Sequence, residues 1–277
     1  MRRLHLPQGK TLRRRGFNPK LADSKVISME IVGEFLGVDT DKGIWSYFKT
    51  HWLDYFPMLG SRSNFVKQAS NLWNIKQLIQ VNIAEQLHAT TTDNLHMADG
   101  FPIPVCQFKR AYFSRVFKGS AAYGYCASKE EKYYRFKGNV VISSEGVITN
   151  MTATAANVDE RDSLWEIIGN IRGRLIGADF QEQIHREMGV NLQTSLRNNM
   201  MDPRGKEASS WLVSTRRLVE TVIGQLTEQF NIQKVRARDL WHFSNRIAQK
   251  VLSHTIAVFI NKKIGNQPLQ FENLVTL

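Results

Sequence analysis

Apolar residues recur at helical spacing through the first third of the chain. Val26, Ile27, Ile31, Phe35 and Leu36 fall along one helix that begins at Asp23 or Ser24, either able to cap it, and stops at Gly37. A second helix is predicted over 43–55. A third starts near Ser61 or Ser63 and runs towards Leu87, with Phe65, Val66, Ala69, Leu72, Trp73, Ile75, Leu78 and Ile79 on its inner side. Three helices joined by short turns predict a small bundle. Trp45, Trp52 and Trp73 lie on the apolar sides of these helices and are read as core. Arg62, Lys67, Gln68 and Asn71 lie on the outer side of the third helix, where such side chains can reach phosphates and base edges. For any single helix the plainer reading, a solvated polar face, carries more weight.

After Asp93 the period shortens. Leu95 to Ala98 reads as a strand leading into Asp99-Gly100, and 133–142 with 147–154 as a hairpin turning at Ser144-Glu145-Gly146. Between them runs a basic, aromatic stretch with Lys109, Arg110, Arg115, Lys118, Lys129, Lys132, Arg135 and Lys137. Further on, the pattern predicts a helix over 159–171, a strand over 174–178, a helix over 180–188 and a strand over 190–195. A turn-rich basic loop, 200–210, carries Arg204 and Lys206. Two helices close the chain, 210–230 and 239–263. This order is compatible with a mixed α+β fold in which helices flank a mixed sheet, as in ribonuclease-H-like domains, although many α/β folds share parts of it.

Charge narrows the partners. The 277 residues hold 37 Lys plus Arg against 25 Asp plus Glu, a formal charge of +12 that makes a polyanion, nucleic acid first, the partner to test. No apolar run approaches the roughly 18 residues that span a bilayer, and no signal or lipidation motif is visible, so a cytoplasmic protein without a membrane partner is expected. Cys106 and Cys126 are too few for a disulfide framework and lack zinc-ligand companions. No phosphate-binding glycine loop is present, so nucleotide-driven chemistry is not indicated. Residues 1–20 contain Arg13, Arg14 and Arg15 and no acid. On charge alone this arm reads equally as a solvated tail and as a phosphate contact.

Phosphodiester chemistry on DNA commonly uses two hard divalent cations held by carboxylates from separate elements. Asp99 suits one position because it ends an apolar strand, with Gly100 allowing a bend and leaving room for an ion. The competing reading is an Asp-Gly turn. Glu220 suits the helical position: Leu218, Val222, Leu226 and Phe230 form an apolar stripe, and Glu220 with Arg216 and Gly224 lies on a separate face. Arg216 and Glu220 also fit an ordinary i,i+4 ion pair, and spacing alone does not choose.

Three segments carry a resemblance: Met97-Ala-Asp-Gly-Phe-Pro-Ile-Pro-Val-Cys106, Gly124-Tyr-Cys-Ala-Ser-Lys-Glu-Glu-Lys-Tyr-Tyr-Arg-Phe-Lys-Gly138, and Ser214-Thr-Arg-Arg-Leu-Val-Glu-Thr-Val-Ile-Gly-Gln-Leu-Thr-Glu-Gln-Phe230. Together they resemble the DDE transposases of the insertion-sequence family numbered 982, over about Leu12 to Leu277. The resemblance implies a ribonuclease-H-like catalytic domain (93–265) preceded by a basic arm (1–20) and a helical DNA-binding bundle (21–92), and followed by a tail (266–277). It implies two Mg2+ or Mn2+ ions, cleavage at transposon ends, strand transfer into double-stranded target DNA, a homodimer or larger assembly on DNA, and a nucleoid-associated protein. Asp99 and Glu220 correspond to the first and last acids, with Arg216 beside the last. Where family members continue Leu-Ile-Gly with Asp-Lys-Gly, this chain has Leu175-Ile176-Gly177-Ala178-Asp179-Phe180. Asp179 is the nearest candidate for the middle acid, one residue late, and a one-residue slip in a strand turns a side chain to the other face unless a bulge re-aims it. Two readings stay open: an active transposase, or a remnant that binds DNA without cutting it. Further residues are expected ahead of the basic arm.

Overall fold

The computed structural model describes residues 19–89, 95–104, 112, 116–117, 120–126, 131–158, 174–176, 191–193 and 205–274. Four helices come first, α1 (Asp23–Phe35), α2 (Asp41–His51), α3 (Arg62–Asn71) and α4 (Trp73–His88). The strands are β1 (Leu95–Pro104), β2 (Ala122–Cys126), β3 (Glu131–Ser143), β4 (Ile148–Ala155), β5 (Arg174–Ile176) and β6 (Asn191–Gln193). Two long helices, α5 (Gly205–Glu228) and α6 (Leu240–Ile264), and a short 3-10 turn, Glu272–Leu274, end the described chain.

The sheet is mixed. β3 pairs antiparallel with β1, β2 and β4, while β5 joins β1 in parallel and β6 joins β5 in parallel. The β3–β4 turn closes as its sequence predicts, with Gly146 at φ +78 and the Ser143 hydroxyl accepting from the Val147 amide at 3.3 Å. β1 does not stop at Ala98. It pairs with β3 through Pro104, and Asp99-Gly100 is extended chain rather than a turn. Beyond Met97 its only partner among the described residues is β3, so Pro102 and Pro104 are tolerated on a strand hydrogen-bonded from one side. Gly138 faces Phe101, whose ring would lie 2.8 Å from an added Cβ, so the glycine makes room for that ring over the strand.

Several helix boundaries differ from the pattern. The residue before α1 is Ala22, without a side-chain cap; the Asp23 carboxylate instead accepts from Gln68 Nε2 at 2.8 Å. α2 begins two residues earlier than expected because Thr40 caps it, accepting from the Gly43 amide at 3.0 Å. The long third helix is two helices. Leu72, buried in the core, sits at φ −95 and ψ 6, and the Ser70 hydroxyl turns back onto the Lys67 carbonyl at 3.1 Å, competing with the helical ladder. Trp52 is not core: it is 43% exposed, as Leu78 is 50% exposed.

α6 ties the two ends of the chain together. It packs on α1, α3 and α4 as well as on α5. Its Phe243 and Val251 join the core between sheet and α5, Leu252 joins the core of the first helices, and Ala257 and Val258 join a third cluster with Leu87 and Phe271. Charges are buried in the same place. Lys76 donates to Glu30 and Asn245, and Lys250 donates to Glu34 at 2.9 Å and to the Phe230 carbonyl at 2.6 Å. Arg246 meets Glu34 at 3.3 Å and Asp41 at 3.3 Å. Burial holds Glu30 and Glu34 above the usual carboxylate range and Lys76 and Lys250 below the usual lysine range, against the attraction of their partners. Each charge is hydrogen-bonded, the condition for tolerating it so far from water.

Candidate active site

Strand alternation places Asp99 on the same face of β1 as Met97, Phe101 and Ile103. Those three are buried against α5, which covers this face with Leu212, Val219, Val222 and Leu226. The apolar stripe of α5 therefore centres on Val219, which is 1% exposed, rather than on Leu218, which only packs partly against the core. Counted from Val219 at about 100° per residue, Arg216 lies about 60° and Glu220 about 100° around the helix, on the flank of the buried stripe. Both therefore leave the covered core and stand at its edge beside β1.

That edge is where the acids meet a cation. Arg216 Nη2 lies 3.8 Å from Asp99 Oδ2, and Arg216 Nε lies 3.9 Å from Glu220 Oε1. The i,i+4 pair of Arg216 and Glu220 exists, but the same guanidinium also spans to the strand, which a purely local pair does not do. Both distances are at the long end of ion pairing and all three side chains are open to water, so this contact contributes little to stability. The other Asp99 oxygen, Oδ1, accepts from the Gly100 amide at 2.8 Å, which fixes the carboxylate on the strand.

Gly100 does not serve as a bend with space for an ion. It is paired opposite Asn139, and an added Cβ would meet Lys137 Cε at 2.9 Å and Asn139 Oδ1 at 3.2 Å. Lys137, expected to touch DNA, thus stands on the face of the sheet opposite to Asp99. Among the described residues no group of three ligating side chains is assembled. Asp179 lies outside the described residues, as do Arg13, Arg14, Arg15, Lys109, Arg110, Lys129 and Arg204. The predicted helices 159–171 and 180–188 do so as well. Lys206 is exposed in the first turn of α5, which begins at Gly205, inside the stretch read as a loop.

On α3, Arg62 and Lys67 are exposed, whereas Gln68 is buried and holds the Leu21 carbonyl at 2.8 Å. Gln68 is therefore a structural tie and no groove contact. Asn71 accepts from Trp241 Nε1 at 3.2 Å. Sequence reasoning did not single out Arg236, Arg238 or Trp241 next to this helix, although the run Lys234-Val-Arg-Ala-Arg238 is a visible basic cluster.

The fold and this edge define an α+β protein with one carboxylate on a central strand and another on the helix packed over it, joined by an arginine. The model of the family described as "Transposase DDE domain" matches residues 89–240, more than half of the chain. The chain belongs to that family, whose function is transposition. Asp99, Arg216 and Glu220 all lie inside the matched region, and α1 to α4 lie ahead of it. Neither the curated proteins nor the solved structures include a match. No helix among the described residues is long and apolar enough to cross a membrane.

Proposed function

We propose that this chain is an insertion-sequence transposase, of the kind found in the family numbered 982, which binds the element's ends and catalyses metal-dependent strand cleavage and strand transfer. The observation that carries this reading is the convergence of Asp99 and Glu220, 121 positions apart in sequence, on the single guanidinium of Arg216. The order β4, β3, β1, β5, β6, antiparallel over the first three and parallel over the rest, supports a ribonuclease-H-like catalytic domain.

The donor set suits the metal. Asp99 and Glu220 present hard, solvent-open carboxylate oxygens from two elements, which is what magnesium or manganese takes while keeping several of its waters. A pair of such ions supplies activation of the attacking oxygen and neutralises charge at the leaving oxygen. Asp99 and Glu220 would hold them, with Asp179 as the third acid. Asp179 follows Ile176, the residue paired with Met97, by three positions, while Asp99 follows Met97 by two. Arg216, half-exposed and loosely paired, is placed to orient both carboxylates and to meet a phosphate of the DNA. The exposed Arg62 and Lys67 on α3, with Lys206 on α5, supply phosphate contacts.

The test is nicking of duplex DNA carrying the element's terminal sequences in magnesium or manganese. Cleavage by the wild-type chain, lost in Asp99→Ala, supports the enzyme. Binding of those ends without cleavage, unchanged in Asp99→Ala, establishes instead the remnant that acts only as a DNA-binding protein, a reading that the displacement of the middle acid to Asp179 favours.

A further inference from the structure

The outer side of α3 does not face open solvent alone. Arg62, Lys67 and Asn71 form one wall of a groove of about 500 Å³ whose other wall is Trp241 and His242, at the start of α6. His242 also lines the adjoining hollow of about 260 Å³, where the α5–α6 connection presents Arg236 and Arg238. The two hollows share His242 at the N-terminal end of α6. Trp241 fastens the walls together: its indole N–H donates to Asn71, its ring meets Trp73 edge-on at 5.8 Å, and half of its surface stays exposed.

The charge of this surface that is left without an ion pair is mostly positive. Among the described residues Arg62, Lys67 and Arg238 make no ion pair, and Arg236 reaches Asp39 only at 3.6 Å while remaining 62% exposed. Of the nearby acids, Asp239 caps the first turn of α6, accepting from the His242 amide at 2.9 Å and meeting the His242 ring at 2.8 Å; the hydrogen bond from that amide holds its carboxyl below the usual range. Asp39 and Asp41 are turned towards Arg246 and Lys250. Four cations on two elements thus border two hollows that share His242, with the exposed ring of Trp241 in the wall of the first.

We propose that the surface running from α3 past His242 to the α5–α6 connection is a single duplex-DNA seat, in which Arg236 and Arg238 contact the phosphate backbone together with Arg62 and Lys67. The proposal rests on the reading of α3 as a DNA-contacting helix and extends it. The connection follows directly on α5, the helix that carries Arg216 and Glu220.

The experiment is fluorescence anisotropy of the full chain with a labelled mixed-sequence DNA duplex over a range of salt. Each phosphate contact adds about 0.9 to the slope of log affinity against log salt, so losing two lowers its magnitude by roughly 2. The double variants Arg236→Ala/Arg238→Ala and Arg62→Ala/Lys67→Ala are each expected to show this loss. Arg238→Ala alone, which leaves Arg236 on Asp39, is expected to show about half of it. If only the α3 pair lowers the slope, the composite seat is overturned and the α3 reading stands. If the α3 pair leaves the slope unchanged, both ideas fall, whatever the other pair does.

Discussion

Arg216 Nη2 stands 3.8 Å from Asp99 Oδ2, joining the middle of α5 to the middle of β1 across the edge of the core. The contact is too long and too wet to hold the fold together, yet it brings the strand acid to the same cation as Glu220. Stability and activity should therefore separate at this residue. Arg216→Ala is expected to shift unfolding free energy by less than about 1 kcal/mol. DNA nicking should fall by about 100-fold or more, the usual loss when a preorganised donor is removed. Urea melts and single-turnover cleavage on the same preparation check the two halves.

The buried face of α5 should behave in the opposite sense. Leu226 is fully buried between helix and sheet, so Leu226→Ala is expected to cost about 2–5 kcal/mol through lost transfer energy and the cavity left behind. The same substitution at exposed Leu78 should stay within about 0.5 kcal/mol. Urea midpoints with unchanged m-values decide it.

Lys76 and Glu30 are both fully buried and bonded to one another. Lys76→Met leaves the Glu30 carboxyl without its cation and is expected to cost about 3–5 kcal/mol. Adding Glu30→Gln should restore much of that loss, giving a strongly non-additive double-mutant cycle. Additive effects would show that the two side chains do not depend on each other.

His254 is buried between Phe230 and Phe271, with Nε2 3.0 Å from Gln225 Oε1, and burial lowers its pKa from 6.5 to about 3. The native state therefore excludes a proton that the unfolded chain accepts. The contribution is complete above about pH 6.5 and is lost as pH falls from there towards 3. Within that window the loss approaches about 1.4 kcal/mol per pH unit. Comparing wild type with His254→Gln at pH 7 and pH 5 isolates it: the wild type should lose more stability on acidification, by roughly 2 kcal/mol.

Much of this was legible in the chain. The hairpin at Ser144-Glu145-Gly146 and the α6 start at Asp239 followed from turn chemistry and capping, because each is fixed by neighbours in sequence. What escaped notice depends on distant partners. No glycine or proline marks the break at Leu72, where packing and a hydroxyl on the Lys67 carbonyl interrupt a continuous apolar pattern. Asp99-Gly100 has the composition of a turn but is held straight by pairing with Val140 and Asn139. Glu30, Glu34, Lys76 and Lys250 look like solvated surface in one dimension and are buried only because α6 returns to cover α1 and α4.

Asp99 and Glu220 are expected to serve one metal-dependent site. Manganese binding to the full chain, followed by electron paramagnetic resonance, tests it most directly. Asp99→Asn and Glu220→Gln should each weaken the same bound manganese, and the double variant should lose little beyond either single change. Wild-type manganese binding in both single variants would show that the two carboxylates hold no common ion.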